Sequence, residues 1–240
     1  MSVWRDRVYL LKKITLRGIA ARYRGSVLGG LWAVLTPLLM LVIYTFVFSV
    51  VFKGRWAQVD QLGRFDFALM IYCGLSIFTL FAETVTAAPR VIVDQVSYVK
   101  KVVFPLELLP VSSFLTALFN MGISLALLVL FAVISGGWHW TMLSIPLILL
   151  PLFFFLLGLA WALAALGVYL RDLALVMTSV VGVLQFVSPV FYPVHAVPSD
   201  FQILMFMSPL TFPIEALRGA VLLHQWPTFL GLFAYSCFGI

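Results

Sequence analysis

Charge is what this sequence has least of. Fifteen Lys and Arg and nine Asp and Glu are spread over 240 residues, against 63% apolar residues and a mean hydropathy of +1.12. A soluble domain carries about 25% charged residues, so these few ions cannot cover a water-facing surface. The chain is read as an integral membrane protein. Cysteine is nearly absent too. Cys73 and Cys237 both stand in apolar runs, which excludes a disulfide framework and a Cys-based zinc site and leaves two small packing residues. No G-x-x-x-x-G-K-[ST], G-x-G-x-x-G, H-E-x-x-H or paired-cysteine motif occurs. The chain is therefore not expected to be an enzyme, to bind a metal or cofactor, or to hydrolyse nucleotide. An ion-coupled carrier would place ionisable residues at mid-membrane and often show two repeated halves. The apolar runs here are nearly charge-free at their centres and no repeat is visible. Energy for any work must come from another polypeptide.

The charge that is present gathers at one end. Arg5, Arg7, Lys12, Lys13, Arg17, Arg22 and Arg24 oppose only Asp6 within residues 1–24, so the chain's net +6 sits there. About 25 mixed residues precede the first long apolar run, unlike a secretory signal, and no cleavage is expected. On a helical wheel Trp4, Val8, Leu11, Thr15 and Ile19 share one side, with Asp6, Lys13, Arg17 and Arg24 nearly opposite. Residues 1–28 are thus read as a basic amphipathic helix at the membrane surface. It either anchors the protein on anionic lipid or also abuts a cytoplasmic partner or an anionic headgroup.

One bilayer crossing takes about 20 apolar residues. The charge-poor stretches give six spans, at 30–53, 66–88, 108–134, 142–170, 173–192 and 226–240, in an all-α membrane fold. Ser135 to Trp140, with its glycines and tryptophans, turns the chain between the third and fourth. With the N-terminus inside, 11 cations lie inside and Lys53, Arg55, Arg64 and Arg218 outside, which places both termini in the cytoplasm. His139, His195 and His224 then all fall at the outer edge. The 12 residues from Phe229 to Ile240 would make about 18 Å of helix against a core of roughly 30 Å. Either the last span begins earlier, across Pro227, or the sequence stops short of its natural end.

Three segments are irregular. Residues 89–105 carry Asp94, Gln95, Ser97, Lys100 and Lys101 between Pro89 and Pro105, and read either as a short cytoplasmic helix parallel to the membrane that presents a surface or as a plain interfacial loop following the positive-inside rule. Arg171-Asp172 separates the fourth and fifth spans, Asp172 suited to capping the next helix and Arg171 to reaching phosphate headgroups. Val187 to Gly219 holds five prolines in an apolar background. That is too greasy for a solvated loop and too broken for a span, so the 193–225 region is read as two short helices dipping back into the outer leaflet. Glu215 and Arg218, at i and i+3, are placed to pair.

These residues resemble the permease subunits of ABC-2-type exporters of bacterial polysaccharides, a family that includes O-antigen, capsule and teichoic acid exporters. The resemblance rests on RYRGSVLGGLWAVLTPLLMLVIYTFVFSVVF from Arg22 to Phe52, VKKVVFPLELLP from Val99 to Pro110, YLRDL at Tyr169 to Leu173, and SPVFYP followed by SPLTFPIEALRG. It implies six spans, a homodimer, and two copies of a separate cytoplasmic ATPase that binds ATP and Mg. Lipid-linked polysaccharide and the membrane are the other implied partners, with no nucleic acid. The Asp94 to Phe104 stretch matches a coupling helix. The implied ATPase-facing set is Asp94, Gln95, Ser97, Tyr98, Lys100 and Lys101, with Arg171 and Asp172 beside it. Arg22 and Arg24 would lie where a lipid pyrophosphate is engaged. The basic cytoplasmic tail that usually ends these permeases is absent from this sequence.

A sliding polymer is best met by aromatic rings, which contact sugar C–H faces without fixing many hydrogen bonds. Tyr44, Phe48, Phe186, Phe191 and Tyr192 are the candidate channel-lining aromatics. Trp32, Trp56, Trp138, Trp140 and Trp226 are expected in interfacial belts. Two rivals stand beside the exporter reading. An intramembrane enzyme of lipid-linked sugar metabolism would need converging acids, whereas Glu83, Glu107, Asp172 and Glu215 are scattered along the chain. An ABC-2 exporter of a small lipid or drug would share every feature above.

Overall fold

The computed structural model describes residues 2–47, 64–95 and 104–239. Among them the regular structure is helical, with no strand: α1 (Ser2–Tyr23), α2 (Trp32–Phe46), α3 (Arg64–Ala87), α4 (Leu108–Gly136), α5 (Ile145–Tyr169), α6 (Leu173–Val187), α7 (Ser199–Phe206), α8 (Thr211–Val221) and α9 (Phe229–Gly239). Among the described residues, four stretches are long and apolar enough to cross a bilayer: Gly29–Phe46, Asp66–Arg90, Leu108–Gly136 and Trp140–Tyr169. α6, with 15 residues, and α9, with 11, are shorter. The fifth expected span reached to residue 192, but α6 ends at Val187. Ser188 is extended and Pro189 follows, so the helix stops five residues short of the expected end.

α3 is the hub, because it is the mostly buried span and packs on α2, α4, α5, α6 and α8. Its apolar residues run all round the helix, as a helix enclosed by others requires. Leu69, Tyr72, Cys73, Ile77, Leu80 and Phe81 are all buried. α3 and α4 form an antiparallel pair pinned at both ends. Ser135 donates to Asp66 at 2.6 Å, and Asn120 donates to Glu83 at 3.0 Å. α2, by contrast, buries only Leu41, and its remaining apolar face is uncovered within one chain.

The stripe expected on α1 largely seats on protein. Leu11, Thr15 and Ile19 are half-buried together with Leu10, Ile14 and Gly18, whereas Val8 is exposed. The contacts advance in step along both helices, from Arg7 with Glu107 (3.2 Å) through Gly18 beside Thr116 to Tyr23 with Asn120 (3.0 Å). α1 therefore runs alongside the first half of α4, a 29-residue helix of about 43 Å that is longer than a bilayer core. Gly25, at φ +89°, ends α1 in the left-handed conformation that favours glycine.

The proline-rich region holds the two short helices α7 and α8. Ser188 and Ser208 share a hydrogen bond of 2.7 Å across it, and Thr141 ties α8 to the turn before α5 through the Ala220 carbonyl at 2.7 Å. His139 and His224 stack with ring centroids 3.4 Å apart, which puts these two histidines at one edge.

Candidate functional site

Two polar clusters and one aromatic cluster stand out against the apolar background, and a groove joins two of them. The first lies where α1, α3 and α4 meet. Arg22 donates to both Glu83 oxygens, Nη1 to Oε2 at 2.7 Å and Nη2 to Oε1 at 2.6 Å. Asn120 adds a third donor to Glu83, and Tyr23 donates to the Asn120 carbonyl oxygen. Two parallel bonds between guanidinium and carboxylate are the strong geometry for this pair. The Glu83 hydrogen bonds raise the pKa of Arg22, outweighing the opposing effect of burial. An ionisable residue near the end of a spanning helix needs such a partner. The sequence shows Glu83 and Asn120 as isolated polar residues in apolar helices, but nothing in it joins them to Arg22, 61 residues before Glu83.

Beside this cluster the short turns Ala88–Arg90 and Val93–Gln95 follow α3. The first packs against α5 and α6. Gly167 permits the approach, because a Cβ there would collide with the Pro89 carbonyl. The chain leaving α3 therefore lies against the end of α5, a few residues before Arg171 and Asp172. Asp94, Gln95, Arg171 and Asp172 are all exposed on this basic end of the bundle. Asp172 does occupy the N-cap position of α6, but its side chain makes no capping bond. Ser97, Tyr98, Lys100 and Lys101 lie outside the described residues. Arg24 is exposed, whereas Arg22 is taken up by Glu83.

The candidate channel aromatics come together. The Tyr44 and Phe191 ring centroids are 6.0 Å apart, those of Phe186 and Phe191 6.3 Å, and the Tyr192 hydroxyl donates to the Phe186 carbonyl. The end of α2, the end of α6 and the turn after it thus build one aromatic patch, seated on Phe67 and Ile71 of α3. Phe48 lies outside the described residues.

Arg218 is the second polar cluster, and its depth was not apparent from the sequence. It pairs with Glu215 at 3.1 Å, as the spacing predicts, but its side chain is only 1% exposed. Nε donates to the Met70 carbonyl at 3.0 Å and Nη2 to the Val190 carbonyl at 2.7 Å. Glu215 also accepts from the Val194 amide at 3.3 Å. One guanidinium thus bolts the turn after α6 and helix α8 to α3. Gly74 makes room for it, since a Cβ there would stand 2.6 Å from the Val190 oxygen.

A groove of about 390 Å³ runs between α2 and α3 from the Arg22–Glu83 pair to Tyr44 and Gln185. Trp32, Pro37, Met40 and Phe78 line it among polar side chains.

A family model described as "ABC-2 type transporter" matches residues 9–222. The chain is also similar to the O-antigen export system permease protein RfbA of Myxococcus xanthus, 32% identical over 192 residues, covering 80% of this chain and 71% of that protein. Two proteins of the same description from Klebsiella pneumoniae are 26% and 25% identical over 197 residues, each match covering 80% of this chain and 72% of the relative.

Proposed function

This chain belongs to the ABC-2 type transporter family, and from that premise we propose that it is the transmembrane subunit of an ATP-driven exporter moving a lipid-linked polysaccharide across the bacterial inner membrane. Two copies form the conduit, two copies of a cytoplasmic ATPase drive it, and ATP and Mg are bound by that partner. Six spans place both termini in the cytoplasm, with α7 and α8 on the outer side. The observation that carries the reading beyond family is the meeting of Tyr44, Phe186, Phe191 and Tyr192 in one patch where α2 and α6 end. Rings of this kind let a sugar chain slide, because they offer contact area with few directional bonds. Copurification tests the assembly: a tagged chain should bring down a Walker-motif ATPase in equal amount, and a chain that purifies alone argues against it.

The basic end is the ATPase-facing surface, with Asp94, Gln95, Arg171 and Asp172 exposed there, and the family resemblance assigns Ser97, Tyr98, Lys100 and Lys101 to the same role. ATP binding draws the two ATPases together, and the helices they grip move as rigid bodies to open a path between the permeases. Such a change needs a partner with different affinity for the open and closed states. Arg24 is open to a lipid pyrophosphate, whereas Arg22 would have to exchange Glu83 for phosphate.

Two outcomes are expected. Alanine at Tyr44, Phe191 and Tyr192 together should block polymer export while the complex still assembles and hydrolyses ATP; unchanged surface polysaccharide would remove the aromatic conduit. Reversing charge at Lys100 and Lys101 should release the ATPase subunit or uncouple its hydrolysis from export, which a pull-down with a parallel phosphate-release assay reads. A fully active complex carrying both reversals would count against the docking surface.

A further inference from the structure

We propose that the stacked rings of His139 and His224 form an acid-sensitive latch between the α4–α5 turn and the α8–α9 turn, closed while the imidazoles are neutral and released when both are protonated. The latch follows from the side chains themselves, and only its facing the outer medium rests on the orientation given with the exporter reading. The ring centroids lie 3.4 Å apart with the planes at 15°. Two neutral imidazoles stack at that distance, whereas two imidazolium ions repel with no room for water between them. Nearly parallel rings also hold their nitrogen lone pairs in separate planes, so the pair is not posed to share a metal ion.

Each ring sits on a tight turn. On one side Gly137 is at φ +85°, and its carbonyl accepts from His139 Nδ1 at 3.3 Å. On the other, His224 is at φ 56°, the one non-glycine residue in the left-handed region among the described residues. Its turn is clamped by the Leu222 amide on the Arg218 carbonyl and the Gln225 amide on the Gly219 carbonyl, both at 2.9 Å. A side-chain-bearing residue in this conformation stores strain and stays there only where its surroundings hold it. Losing the ring contact therefore frees a strained turn, which has another conformation to relax into.

Among the described residues no opposite charge neutralises His224, because the only charge acting on it is that of His139. Residues 140–148 and 225–232 carry no ionisable side chain. Asp66, at the head of α3, accepts from Ser135, and Glu215 and Arg218 of α8 pair with each other. Desolvation, and after it the charge of His139, holds the His224 pKa below the ordinary histidine range. An open turn takes up protons near the ordinary value of about 6.5 and the closed stack resists them, so the closed form is favoured above that pH and lost progressively below it. Clustered histidines flip interfaces over this same range.

The full-length chain in lipid nanodiscs, with its three histidines labelled at ring carbon ε1, tests the latch by two measurements. Ring NMR follows protonation, and hydrogen exchange at the Gln225 amide, corrected for the intrinsic effect of pH, follows opening of the turn. In the wild type, opening should rise about fivefold or more between about pH 7 and about pH 5, in step with protonation of His224. His139→Phe keeps a ring in the stack and removes one charge, and an aromatic face attracts the remaining cation. Its opening should stay level or fall over the same range, and its His224 titration should move upward. His139→Ala, which removes the ring, should raise opening at pH near 7 and flatten the response. The same acid response in wild type and His139→Phe, or a His224 titration untouched by His139→Phe, would overturn the latch. Acid reaches both faces of a nanodisc, so a failed latch leaves the exporter reading and its orientation standing.

Discussion

Arg218→Ala is expected to loosen α8 and the turn after α6 from α3. The guanidinium is 1% exposed and holds the Met70 carbonyl, the Val190 carbonyl and Glu215 at once. Two buried carbonyls lose their donor, each leaving an unsatisfied acceptor at a cost of about 1–3 kcal/mol. For a chain of this size that corresponds to a fall in melting temperature on the order of ten degrees. Glu215 is one-third exposed and can hydrate, so the loss is concentrated at the carbonyls of α3 and of the turn after α6. Arg218→Lys keeps the charge but not the planar fork that reaches three acceptors together, and should fall between the two. Thermal unfolding of purified protein in detergent, followed by protease resistance of residues 188–221, measures the effect. A wild-type melting temperature for Arg218→Ala would show that α7 and α8 are held by packing alone.

Gly167→Val is expected to break coupling rather than folding. A Cβ at 167 collides with the backbone of Pro89, which cannot swing aside as a side chain can. Overpacking of this kind typically costs about 1–3 kcal/mol, relieved by a backbone shift. The part that can shift is the Ala88–Arg90 turn, and it carries with it the chain leading to Asp94 and Gln95. Export should fall at least tenfold while the protein remains in the membrane and the ATPase subunit, if still bound, hydrolyses without transport. Gly158→Val on the same helix is the internal control, since a Cβ at that position meets nothing within 4 Å. Equal behaviour of the two variants would mean that the contact at Pro89 does not matter for coupling.

The expected helices appear where charge and proline gave clear edges. Asp66, the Pro105–Glu107 lead and Arg171-Asp172 stand at the ends of α3, α4 and α6, because a charge or a proline resists burial in an apolar helix regardless of what lies beside it. Pro198 and Pro209 likewise stand just before α7 and α8. Four of the five candidate aromatics meet, since residues at the ends of adjoining apolar segments fall at a common depth. The same local logic failed for α6, where length was inferred from hydropathy up to Tyr192 although the extended backbone at Ser188 ends the helix at Val187, five residues earlier.

Composition and charge placement by themselves determined that this chain is an all-helical membrane protein, and roughly where its helices begin, because the cost of an unpaired charge or backbone group in hydrocarbon acts residue by residue. Only the tertiary structure decided which face of α1 is covered, that Glu83 belongs to Arg22, and that Arg218 reaches the Met70 carbonyl 148 residues away. Those pairings depend on helix register and packing across the bundle, and a polar residue in an apolar run looks the same in a sequence whichever distant partner satisfies it.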